Sequence, residues 1–169
     1  STGGHMTDQG VHQIGQLRLI AHHQAIADDP ILTKQAAQAQ TIGRKLDSDL
    51  KVFEKVVLEK GSLHIDTINS QQRKVTNQVS KQTEQISLPQ LLAGATPLAD
   101  SNDIVDSLTA QTGSLATVFQ LVGDKLLRVA TTVKNQQGER AVGTYIPSDS
   151  PVFKAIVQGQ PYKGKAYVV

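Results

Sequence analysis

The chain has 169 residues, 38% of them hydrophobic, with 17 basic and 15 acidic residues giving a net charge of +2, enough apolar material for one ordinary core. Aromatic residues make up 4% with no Trp, and the basic residues are scattered among acids, which argues against a nucleic-acid binder despite a pI of about 8.9. There is no Cys, so disulfides, thiolate chemistry and cysteine-containing zinc sites are excluded, and no apolar run approaches the roughly 18 residues that span a bilayer.

Ser1-Thr2-Gly3-Gly4-His5-Met6 reads as an expression scar outside the fold. Thr7 to Asp29 reads as mostly helical, because Val11, Ile14, Leu17, Ala21 and Ala25 fall three or four residues apart among polar ones. Asp29 caps a second helix and Pro30 occupies its first turn, where a missing N–H costs nothing. In that helix Leu32, Ala36, Ala39, Ile42, Leu46, Leu50, Phe53 and Val57 form one stripe, closed by Gly61. The stripe is much longer than the average globular helix of about 11–12 residues. The plain reading is a helix packed across a sheet; the sharper one is a long amphipathic helix that covers the sheet and whose thin upstream apolar face wants a partner. Residues 7–61 are therefore expected as a long N-terminal helical segment and residues 62–169 as a sheet domain.

Ser62 to Ser87 is rich in Gln, Asn, Ser and Thr with alternating apolar positions, which predicts two exposed strands joined near Asn69-Ser70. Leu88-Pro89 to Ala99 reads as a loop. Asn102 or Asp103 caps a short helix lined by Ile104, Val105 and Leu108 and ended by Gly113. Lys134 to Glu139 is a polar turn around Gly138, Arg140 to Ile146 is extended, Ser150-Pro151 starts a helix that Gly159 stops, and Tyr162 to Val169 is a strand.

The densest pattern runs from Ala116 to Thr144. Thr117 to Val122 is β-branched and aromatic, Gly123-Asp124 tolerates turn geometry, and Leu126 to Val133 is a second β-rich run, so a hairpin is the simplest reading. The second run places Arg128 among Leu127, Val129, Ala130 and Val133, where a guanidinium must snorkel to an edge or find an anion. Arg grips a planar carboxylate through two parallel hydrogen bonds, and Thr131 and Thr132 add hydroxyls nearby. A place on the exposed face of a half-buried strand is the plainer alternative.

Ala116-Thr117-Val118-Phe119, Arg128-Val129-Ala130-Thr131, Gly138 through Thr144, and Gly159 followed by Tyr162-Lys163-Gly164-Lys165-Ala166 occur in one order over roughly Ser87 to Val169. This ordered set resembles the Cache-type extracytoplasmic sensor domains, specifically the Cache 3/Cache 2 fusion type of bacterial methyl-accepting chemotaxis proteins. The resemblance implies an α/β (α+β) fold, with long N-terminal helices on a mostly antiparallel PAS-like sheet. It implies further strands after Val169, flanking transmembrane helices, a periplasmic position on an inner-membrane receptor, and a homodimer through the long helix. It also implies a ligand-binding role, for which Arg128 and Thr131 are the candidate ligand contacts and Phe119 and Tyr145 weaker ones. Citrate-sensing kinases, more distantly similar, carry His where this chain has Thr131, which favours a small acid with one or two carboxylates over a tricarboxylate. The input domain of a histidine kinase or cyclic-dinucleotide enzyme, or an interaction module without a small ligand, are the other readings.

No enzyme signature is present. Gly159 to Ala166 matches GxxxxGK, but Ala166 stands where a magnesium-holding hydroxyl is needed, and a helix precedes the loop instead of following it. His22 and His23 diverge by about 100° on a helix, and no His pair at i,i+4 joins a carboxylate. Asp100, Asp103 and Asp106 sit at a helix start, where the dipole explains them. No cofactor or metal is expected.

Overall fold

The computed structural model describes residues 4–25, 36–159 and 162–167. A nine-stranded mixed sheet carries helices on both faces, an α+β arrangement. In chain order the elements are β1 (Gly4–Ile14), β2 (Leu17–Ala25), α1 (Ala36–Leu58), β3 (Leu63–Asn77), β4 (Thr83–Ala93) and β5 (Thr96–Pro97). They continue with α2 (Asn102–Thr112), β6 (Leu115–Val122), β7 (Lys125–Thr131), β8 (Thr144–Pro147), α3 (Pro151–Val157) and β9 (Tyr162–Tyr167). Across the sheet the order is β5-β4-β3-β8-β7-β6-β2-β1-β9. Every pairing is antiparallel except β3 with β8.

Two apolar clusters lie on opposite faces. On one, Leu46, Leu50, Phe53 and Val57 of α1 and Ile104, Val105 and Leu108 of α2 pack on Leu17, Leu19, Ala21, Val118, Leu127, Val129 and Tyr145. On the other, Ile156 of α3 packs with Ile20, Phe119, Leu126 and Ile146. Among the described residues no helix is long and apolar enough to cross a membrane.

The first helix expected from the sequence is instead a hairpin. β1 and β2 pair from Met6 with Ala25 to Ile14 with Leu17, turning through Gly15, whose φ of +54° suits a residue without a side chain. The physical reason is burial on both faces: Leu17, Leu19 and Ala21 enter one cluster and Ile20 the other, so the strand shows no clean alternation. Apolar residues from two faces happened to fall at helical spacing. Gly4 to Met6, read as a scar, belong to β1 and oppose Tyr167, Ala166 and Lys165 of β9, Met6 also opposing Ala25 of β2. The expected cap at Asp29-Pro30 and the start of the second stripe at Leu32 lie outside the described residues. From Leu46 onward that stripe is helical and buried as expected.

The β3–β4 connection is also displaced from its expected position. Asn69-Ser70 forms a bulge, because the Asp66 carboxylate accepts from the backbone N–H of Ile68 and Asn69 and from the Asn69 amide. The chain reverses later, where Asn77 Oδ1 accepts from Val79 N at 2.8 Å and Ser80 N at 3.1 Å. Leu88 to Ala93, expected as loop, continues β4. Pro89 is tolerated because it lies opposite the bulge, between the Leu88–Gln71 and Gln90–Asp66 pairs, where the ladder is interrupted. Helices α2 and α3 and the β6–β7 hairpin fall where the sequence predicts them. Gly113 ends α2 at φ +78° and Gly123 turns the hairpin at φ +57°. Val168 and Val169, the end of the last predicted strand, lie outside the described residues.

Candidate functional site

Arg128 lies in the middle of β7 opposite Phe119 of β6, on the sheet face that α3 covers. It is only 8% exposed, yet its guanidinium meets no carboxylate among the described residues. Nη1 donates to Gln78 Oε1 at 2.7 Å and to Thr144 Oγ1 at 2.9 Å. The Phe119 ring centroid lies 5.0 Å from Cζ, a cation–π contact. Burial without a counter-charge pulls the guanidinium down from its ordinary value to about 10, still charged at neutral pH. Nε and Nη2 make no hydrogen bond to the described residues, so the fork that best matches a carboxylate is unspent.

A β-bulge brings the other predicted strand residue to the same face. Thr117 pairs with Thr131 and Val118 with Ala130, but Phe119 pairs with Arg128, leaving Val129 as the extra residue. Val129 and Ala130 both enter the α1/α2 cluster. Arg128 and Thr131, three apart, would otherwise lie on opposite faces and here share one. The Thr131 hydroxyl is fully buried and already occupied, 2.8 Å from Thr117 Oγ1, 3.3 Å from Ala116 O and accepting from Val133 N at 3.0 Å.

The bulge is held from outside the hairpin. Val129 O accepts from the backbone N of Asp100 at 2.7 Å, and Asp100 adopts φ +63° with its carboxylate gripped by both terminal nitrogens of Arg73. Next to it, Arg140 pairs with Asp106 through both terminal nitrogens and donates to Thr131 O at 3.0 Å. Those bonds hold the Asp106 carboxyl below its usual range.

Of the four residues singled out from the sequence, the structure brings Arg128 and Phe119 into contact and places Thr131 on their face. Tyr145 goes elsewhere: it packs in the α1/α2 cluster with Lys125 Nζ 5.4 Å from its ring centroid. Its neighbour Thr144 is the residue that reaches Arg128. Gln78 and Thr144 escape sequence reasoning because one is a polar turn residue like many others and the other opens a strand parallel to a distant partner.

A family model described as the Cache 3/Cache 2 fusion domain matches residues 17–169. The chain belongs to that family. No curated protein and no solved structure matches it. Cache domains are extracytoplasmic sensor modules, and in this Cache domain the buried arginine, without a carboxylate partner among the described residues, sits within the matched span.

Proposed function

We propose that this Cache domain binds a small organic acid with one or two carboxylates, with Arg128 as the anchor for one of them. The observation that carries the reading is an arginine only 8% exposed whose guanidinium is held only by neutral oxygens among the described residues, with Nε and Nη2 unspent and still reachable from outside. A buried cation lacking a counter-charge is costly unless something supplies one, and a carboxylate fits its planar fork. Thr131 then shapes the floor of the site and Phe119 walls one side of the guanidinium. In this reading the domain is the periplasmic input of a transmembrane chemoreceptor and dimerises through α1. Ligand binding biases one of two placements of that helix, which requires the ligand to bind them with different affinities.

A thermal-shift screen of acetate, lactate, succinate, malate and amino acids against the wild-type domain tests it. A ligand that binds only the folded state, at a hundred times its Kd, adds about 2.7 kcal/mol, or several degrees for a domain of this size. A hit lost in Arg128→Ala supports the assignment. A hit that survives in the variant places the ligand elsewhere, and the absence of any hit favours an interaction module.

A further inference from the structure

Arg128 has five N–H donors, and the way two of them are used directs the rest. Both Nη1 hydrogens are taken, by Gln78 Oε1 and Thr144 Oγ1. Thr144 spends its own hydrogen on Ala141 O at 2.6 Å, so it faces Arg128 as an acceptor. Gln78 is fixed by its backbone, whose N–H donates to Tyr145 O at 3.0 Å, and by the Asn77-centred turn that follows it. Neither acceptor carries charge. The Phe119 ring, 5.0 Å from Cζ, covers one side of the guanidinium. Nε and Nη2 are the fork left for an incoming oxyanion.

We propose that Gln78 is a specificity-determining residue: its neutral amide oxygen orients Arg128 through Nη1 without neutralising it, and so presents the Nε/Nη2 fork to a planar carboxylate. This rests on the reading of Arg128 as a carboxylate anchor and names what makes that site cationic. A glutamate at the same place would make the same contact and fill the charge deficit from within. The site would then be self-occupied, and an external acid would meet a neutral pair.

The test compares wild type, Gln78→Glu and Gln78→Ala in titration calorimetry with lactate and succinate, and melts Gln78→Glu with and without Arg128→Met. Gln78→Glu should weaken acid binding by about tenfold or more, since it removes the charge-assisted advantage of the ligand. Gln78→Ala, which leaves the charge but loosens the fork, should weaken it less. Gln78→Glu should also raise the melting temperature with Arg128 present and lose that gain in the Arg128→Met background, a coupling that a merely space-filling residue would not show. Wild-type affinity in Gln78→Glu overturns the inference while leaving the carboxylate reading intact, and so does a thermal gain independent of Arg128. If neither these two acids nor any other acid of the thermal-shift screen binds wild type, the carboxylate reading falls. The Arg128-dependent gain alone then decides whether Gln78 leaves the charge unneutralised. Should the double variant not fold, the comparison of acid binding between wild type and Gln78→Glu decides.

Discussion

Arg128 brings a positive charge into the sheet with only neutral partners among the described residues, and this has a consequence for stability before any ligand arrives. Burial lowers its folded-state value to about 10, below that of the unfolded chain, so the unfolded chain holds the proton more tightly. The resulting penalty, on the order of 3 kcal/mol, is fully present at neutral pH and is relieved only as pH rises above about 10. The Phe119 contact and two hydrogen bonds offset part of it. Replacing a buried ion pair by well-packed apolar side chains is often neutral or stabilising by about 1–4 kcal/mol, and a buried charge with no counter-ion has still less attraction to lose. Arg128→Met is therefore expected to melt no lower than wild type without ligand, and up to a few degrees higher, while losing all response to organic acids. A melting temperature several degrees below wild type would show that the arginine is there to hold the sheet together. Thr131 differs in kind, because its hydroxyl is spent on Thr117 and on the backbone of Val133. Arg128 was conspicuous in the sequence because a lone guanidinium in a β-rich run needs an anion or an edge. Its Gln78 partner was not, since nothing local in a polar turn reveals which distant strand it will meet.

At the scale of elements, the bulge at Val129 decides which residues share the site, and a backbone contact from the segment before α2 holds it. Asp100 occupies left-handed backbone at φ +63°, a conformation that Asp tolerates and β-branched residues resist. Asp100→Asn keeps that tolerance and gives up the Arg73 pair, which is half-exposed and worth about 0.5 kcal/mol. Asp100→Val adds backbone strain of about 1–3 kcal/mol and withdraws support from the bulge. Urea denaturation should separate the two in that order, and acid binding should weaken in Asp100→Val while surviving in Asp100→Asn. Equal stability for both would mean that the turn relaxes and the bulge stands alone. The hairpin around this bulge was readable from its β-branched runs and Gly123. The bulge was not, because an extra residue leaves no mark on composition. The β1–β2 hairpin was misread for a related reason: with Leu19 on one face and Ile20 on the other, a doubly buried strand shows the same apolar density as a helix.

On the scale of the whole molecule, the sheet separates two packed faces. One face is closed by α1 and α2 over the larger core, with Phe53 and Val57 fully buried. The other carries α3, Phe119 and Arg128, and α3 is tied down by Arg18, whose Nε and Nη2 both donate to Val157 O. The α+β class and the predominance of antiparallel pairing were what the resemblance implied, and the sheet has them. The single parallel contact between β3 and β8 was not legible, since it joins residues nearly seventy positions apart. That contact brings Gln78 beside Arg128, so the long-range topology completes what the local sequence began. The first measurement to make is an NMR titration of the arginine Nε–H signals with lactate and succinate, the Arg128 resonance being assigned by its loss in Arg128→Met. A carboxylate seated on the Nε/Nη2 fork should move that resonance strongly downfield and saturably, and leave the Arg18 signal in place. An acid that binds while the Arg128 signal stays fixed would contradict the carboxylate anchor outright.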